Sequence, residues 1–161
     1  MTPSTTLATL DAFIADLIAS GTATAVLEAW SGGRVHAELV GSGTPAPADI
    51  RTMLGVGDDS PLGHRRVRLM RGDSLLSQAD NWFVPDRLAP DMRVALDRSD
   101  TPFGAVIAPL QPRRETLACE RLSGDPILMV RALVRGGNGQ PLALVEERYA
   151  AAILARKPGL T

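Results

Sequence analysis

The sequence predicts an α+β fold: one antiparallel β-sheet of about six strands with helices packed on one face. Three stretches carry that expectation. Residues 126–149, PILMVRALVRGGNGQPLALVEERY, set two Val-, Ile- and Leu-rich runs around Gly-Gly-Asn-Gly-Gln. Asn-Gly is a strong hairpin signal because both residues tolerate φ > 0. Residues 64–71, HRRVRLMR, read as a strand with Arg66, Arg68 and Met70 on one face and Arg65, Val67, Leu69 and Arg71 on the other. Near the N-terminus, Leu7, Leu10, Phe13, Ile14, Leu17 and Ile18 fall on one side of a helix.

In chain order, Thr5 or Thr6 can cap that first helix over residues 6–20, and Gly21 can stop it. Residues 24–30 suit helix or strand. Gly32-Gly33 turns the chain, and residues 35–40 alternate as a strand does. A loop follows, then one short helical turn within 47–54 and a second loop. After the strand at 64–71, Gly72-Asp73 leads into a second strand, 75–84, which ends at Pro85. A helix-like stretch runs from Asp86 to Leu96. Thr101-Pro102 reads as a helix start, with Thr101 as cap and Pro102 at the first helical position. Residues 114–122 form a strand, the hairpin closes the sheet, and the tail LARKPGLT is expected to fray. With Asn138 and Gly139 central in the turn, Leu133 faces Leu144 and Arg131 faces Glu146. Leu142, Leu144, Glu146 and Arg148 then share a face, and Glu147 points to the other, where solvation is expected.

The 161 residues suit a single domain, 1–161, with a real core. A formal net charge of −1 gives no global field for nucleic acid or an anionic membrane. The lone cysteine, Cys119, excludes an internal disulfide and a Cys-built metal site, and fits a reducing compartment. His36 and His64 lack metal-ligand spacing. No apolar run reaches membrane-spanning length, and the opening MTPSTTLATLDAF lacks the basic head of a secretory signal. The expectation is a cytoplasmic monomer without metal or cofactor, whose partner is a small molecule.

Glu146 is the first candidate for chemistry. It is either half of a cross-strand ion pair with Arg131 or an acceptor or base in a cavity between sheet and helices. Arg66 and Arg68, two apart on one strand face, make a fork suited to a planar carboxylate, or else a solvated face. Trp82-Phe83 is as easily core as a nucleic-acid platform. Cys119 reads as an inert buried thiol, with no histidine placed to activate it. The glycine clusters match neither a phosphate-binding loop nor a dinucleotide fingerprint.

Four motifs in order resemble the chorismate pyruvate-lyases, and in outline the related ligand-sensing domains of bacterial transcriptional regulators. RRVRLM resembles the strand carrying the carboxylate-binding arginine, which falls on Arg66. ADNWFVP resembles that family's Ala-Gly-Arg-Thr-Val-Val-Pro strand end, with Asn81 where the family has arginine. TPFG resembles a Thr-Pro-Leu-Gly helix start, so Phe103 takes the position whose backbone N–H meets the ligand carboxylate. PLALVEERY resembles the strand of the catalytic glutamate, which falls on Glu146. Thr24 lies in the run Thr22-Ala23-Thr24-Ala25-Val26, where the family has a heavier, more basic flap.

The resemblance implies a cofactor-free elimination of pyruvate from chorismate to give 4-hydroxybenzoate, a ubiquinone precursor. Arg66 and the Phe103 N–H would hold the ring carboxylate, with Arg68 replacing the lost arginine. Glu146 would bond the 4-hydroxyl and accept the neighbouring proton. The protein would orient the substrate and exclude water. Two alternatives stand beside this reading: a non-catalytic binding domain for a small aromatic acid, and a relative acting on another substrate.

Overall fold

The computed structural model describes residues 3–41 and 45–155, with side chains from residue 8 onward. Helix α1 (Pro3–Ala19) opens the chain. It starts earlier than the threonine cap predicts, because proline is well tolerated in a first helical turn. Leu10, Phe13 and Leu17 are buried, as their spacing requires, but Ile18 faces solvent. Leu7 lies outside the described side chains, and residues 156–161 of the tail lie outside the described residues. Helix α2 (Ala23–Ser31) settles the ambiguous second segment as helix. Thr22 caps it by accepting from the Ala25 N–H, and Gly32 ends it at φ 81°.

Six strands follow among shorter elements: β1 (His36–Gly41), β2 (Gly63–Arg71), β3 (Ser74–Phe83), β4 (Arg113–Arg121), β5 (Leu128–Arg135) and β6 (Pro141–Tyr149). They form one antiparallel sheet in the order β1-β2-β3-β6-β5-β4. In the β5–β6 hairpin Leu133 faces Leu144 and Arg131 faces Glu146, as the sequence predicts. The turn differs. Gly139 donates to the Gly136 carbonyl at 2.9 Å, which makes Gly137 and Asn138 the central pair, and Gly139 itself takes φ 85°. A bulge between Val134 and Arg135 absorbs the extra loop residue, so the register beyond it is unchanged.

Helix α3 (Ile50–Leu54) precedes β2; α4 (Pro90–Arg98) and the short α5 (Phe103–Val106) lie between β3 and β4. The stretch expected as one helix from Asp86 is broken: a 3-10 turn at Pro85–Arg87 ends before Pro90 restarts the chain as α4. A residue preceding proline is pushed towards extended backbone, and Ala89 takes ψ 152°. Thr101 does not cap α5. Pro102 occupies that position, and the Thr101 hydroxyl pairs with Ser99 Oγ instead.

Two apolar clusters cover one face of the sheet. Phe13, Leu17, Leu27 and Trp30 of α1 and α2 pack on Val67, Leu69, Val130 and Tyr149. Met92, Leu96, Phe103 and Ile107 of α4 and α5 pack on Phe83, Val134, Ala143 and Val145. The Phe13 ring meets Trp30 and Tyr149 edge-on, at 5.3 and 5.2 Å. Each such contact adds about 0.5–1.5 kcal/mol beyond burial. On the opposite face a third cluster seals one corner: Ile50 and Leu54 of α3 on Trp82, Leu133 and Leu144. Cys119 is exposed rather than buried, because β4 is an edge strand. Partial burial still pushes its thiol pKa up, so it is not activated. Among the described residues no helix is long and apolar enough to cross a membrane.

Candidate functional site

Side chains on a strand alternate, so the register decides which charged residues meet the helices. On β2 the face that carries buried Val67 and Leu69 also carries Arg65. On β6 the face with Val145 and Tyr149 carries Glu147. Arg66, Arg68 and Glu146 therefore lie on the opposite face, away from α1, α2, α4 and α5. This corrects the sequence expectation of a shared cavity for Arg66 and Glu146, and of a solvated Glu147.

The outer face is an ion-pair lattice. Arg66, Asp80, Glu146 and Arg131 stand in one cross-strand row. Arg131 Nη2 donates to Glu146 Oε2 at 2.9 Å, and Arg148 Nη2 to Glu146 Oε1 at 3.2 Å. His64 Nε2 lies 2.8 Å from Asp80 Oδ1, and Arg66 Nε lies 3.6 Å from the same oxygen. Arg68 is exposed. The cross-strand pair of Glu146 with Arg131, one of the two readings of that residue, is present.

A cavity lies on the helix-covered face. It has about 40 Å³ of space for the centres of water-sized molecules, room for a few waters. Thr24, Asn81, Phe103, Gly104, Arg114 and Glu147 line it, with an apolar cup of Val67, Leu69, Ala79, Ile107, Val134 and Val145. Three expected site residues, Thr24, Asn81 and Phe103, thus come together there. Arg114 and Glu147 join them without having been predicted.

Arg114 sits on β4, and its guanidinium crosses β5 to reach β6. It donates to Glu147 through Nη1 at 2.9 Å and Nη2 at 2.7 Å. The Tyr149 hydroxyl donates to the same carboxylate at 2.7 Å. Burial alone would lower the Arg114 pKa, but the charge and hydrogen bonds of Glu147 outweigh it and hold the pKa above the usual range. Burial, reinforced by Glu147, raises the Tyr149 pKa well above its ordinary value. The carboxylate is thus fixed as an acceptor by three donors.

Two cavity residues keep buried atoms without a protein partner: Arg114 Nε and Asn81 Oδ1. Across the ladder from Asn81 stands Arg65, 3% exposed. Its Nη2 donates to the Ser99 and Thr101 carbonyls at 3.0 and 2.7 Å, while Nε and Nη1 are buried and unpartnered. Burial lowers the Arg65 pKa, partly offset by Asp100 and Asp97.

A thin wall bounds one side of the cavity. A Cβ on Gly104 would stand 2.8 Å from Thr22 Cβ and 3.1 Å from Thr24 Oγ1, and one on Gly21 would stand 2.6 Å from the Pro112 carbonyl oxygen. Gly21, Thr22, Thr24 and Gly104 also line a groove on the outer side. The wall is thus one layer thick, and glycine is what lets its parts meet.

The same architecture occurs in solved structures of transcriptional regulators. The effector domain of PhnF from Mycobacterium smegmatis superposes with a TM-score of 0.60 at 14% identity, over 82% of this chain and 90% of that one. The fold is chorismate lyase-like. The ligand-binding domain of a GntR-family regulator from Bordetella bronchiseptica matches this chorismate lyase-like sheet with a TM-score of 0.54 at 16% identity, over 74% and 84% of the two chains. The C-terminal domain of the histidine utilization repressor from Pseudomonas syringae gives 0.52 at 14%, over 74% and 93%. In sequence, the chain is 37% identical over 130 residues to the uncharacterized protein y4mC of Sinorhizobium fredii. That match takes in 75% of this chain and 54% of y4mC, so the chain spans about half the length of the curated relative it matches. No family model matches the chain.

The signal for Arg65 was present in the sequence: it shares parity with Val67 and Leu69, the apolar side of HRRVRLMR. For Glu147 no such signal exists. PLALVEERY is apolar at both parities, because α3 covers the outer side of β6 where the other helices cover the inner side.

Proposed function

We propose that the chain is a small-molecule-binding domain whose ligand occupies the cavity between the sheet and the Gly21–Thr24 wall, the thin wall moving outward to admit it, since the cavity as it stands holds only a few waters. The observation that carries this reading is the cavity's make-up: an apolar cup with buried hydrogen-bonding atoms that no protein group satisfies. Buried polar atoms are nearly always paired, and a ligand is one way to pair them. In this reading neither Arg65 nor Arg66 lines the cavity, and an acid group would meet Arg114 Nε together with the Phe103 backbone. The regulator domains that share the fold support a binding role. A thermal-stability screen of small aromatic acids tests it. At least one acid is expected to raise Tm, and Val145→Phe, which fills the cup, is expected to abolish the shift while the protein stays folded. A shift that survives in that variant would place the ligand elsewhere.

A lyase acting on chorismate is the second reading, favoured by one observation: a carboxylate, Glu147, lines the cavity on the helix-covered face. Its two oxygens are already engaged by three protein donors, which weighs against their reaching a substrate proton. Incubation with chorismate separates the two readings. Binding without pyruvate release supports the sensor-like role; equimolar pyruvate and 4-hydroxybenzoate, lost in Glu147→Gln, supports the lyase.

A further inference from the structure

The sequence holds two asparagines, Asn81 and Asn138, and the fold treats them differently. An asparagine loses its side-chain amide when the backbone nitrogen of the next residue attacks the amide carbon and closes a ring. That reaction needs an open approach, an electrophilic carbon and a backbone free to turn. Asn81 offers neither the approach nor the freedom. It is 4% exposed, lies inside β3 with paired strands on both sides, and is followed by buried Trp82. Asn138 and Gly139 are exposed in the β5–β6 turn. Gly139 has no side chain to crowd the attacking nitrogen, and open space lies where a Cβ would stand. Asn138 Oδ1 accepts from the Gln140 N–H at 3.0 Å, a local turn bond. That bond polarises the amide carbonyl and meets the negative charge that gathers on Oδ1 as the ring closes. One bond opposes the attack: the Gly139 N–H donates to the Gly136 carbonyl at 2.9 Å. It lies in an exposed turn close to a bulge, and such bonds open locally at little cost.

We infer that Asn138 is a site of spontaneous deamidation in the folded protein. The Gly139 nitrogen gives up its proton and bonds to Asn138 Cγ. The Cγ–Nδ2 bond breaks, and ammonia leaves with that proton. A water molecule then opens the cyclic imide at either carbonyl, giving aspartate or isoaspartate. Nothing is oxidised or reduced. Either product adds a negative charge to a turn that Arg135 holds through the Gly139 carbonyl, at 3.1 Å. Isoaspartate also lengthens the backbone of the turn.

Incubation of the folded full chain at neutral and mildly alkaline pH, followed by peptide mapping with mass spectrometry and isoaspartate detection, tests it. A synthetic peptide of residues 134–142 supplies the unrestrained rate. Asn138 is expected to convert in the folded chain within about tenfold of the peptide rate, the delay that one hydrogen bond can impose. The rate rises with pH, because the attacking nitrogen must first lose its proton. Asn81 stays intact, which separates this reaction from one that passes through global unfolding. Gly139→Ala, which sets a methyl group beside the nitrogen, slows conversion in peptide and chain alike. A folded-chain rate more than about a hundredfold below that of the peptide overturns the inference. So does equal conversion at Asn81 and Asn138, or a rate unchanged in Gly139→Ala.

Discussion

Glu147 is the residue on which most of the inner polar structure depends. It is buried with Arg114 and Tyr149, and each member satisfies another. Removing one partner of such a pair leaves a charge without compensation. Arg114→Met is therefore expected to cost about 3–5 kcal/mol in urea unfolding. Replacing Glu147 by Met in the same chain should return a large part of that loss; the remainder belongs to the Tyr149 hydroxyl, which then has no acceptor. Tyr149 also sets an alkaline limit. Its pKa is raised in the folded protein, so its contribution is fully present below the unfolded value of about 10 and is lost as pH rises from there through the folded value. The unfolding free energy measured in urea should fall across that window by up to about 1.4 kcal/mol per pH unit, and Tyr149→Phe should flatten that part of the curve. On the outer face the expectation is different. The side chains of Glu146 and Arg131 are 17% and 33% exposed, and such pairs contribute about 1 kcal/mol or less. Glu146→Ala should change stability within that amount and leave ligand-induced stabilisation intact; loss of binding in that variant would return the site to the outer face.

The elements show where local sequence is sufficient and where it is not. The β5–β6 register was legible because Asn-Gly and the two apolar runs leave little choice, even though the turn that forms uses a different central pair and a bulge. The first helix was legible from its period, apart from Ile18, which falls outside the covered stripe. The orientation of β6 was not legible, since apolar residues occupy both parities of a strand covered on both sides. The same element-scale packing makes a prediction at the seam. Gly104→Ala would press a methyl group on Thr22 and Thr24. The expected cost is about 1–3 kcal/mol, with faster hydrogen exchange at the start of α2 as the wall is pushed open.

For the whole molecule, the sheet divides two kinds of chemistry. The outer face carries ion pairs that run from exposed to nearly buried at His64–Asp80, with one apolar corner under α3; the inner face carries the core, the cavity and the buried Arg114–Glu147 pair. Both edge strands are bulged, β1 between Leu39 and Gly41 and β4 between Thr116 and Ala118, and β4 is rich in charge. Such edges resist pairing with another sheet. Ligand binding to the folded state alone should appear as stability of the whole chain. A ligand at a hundredfold excess over its Kd adds about 2.7 kcal/mol, which for a chain of this length is a Tm rise of about 5–10 °C in a thermal melt.

By itself the sequence determined the α+β class, the antiparallel sheet and the hairpin register. Those follow from period, turn chemistry and the order of motifs, which are local properties of the chain. Only the tertiary structure decided which of two adjacent residues lies on the helix-covered face of the sheet, Arg65 or Arg66, Glu147 or Glu146. It also brought Arg114 from a distant strand to Glu147. A strand's two faces differ by one residue, and their burial is set by the layers packed on them, α1, α2, α4 and α5 on one side and α3 on the other.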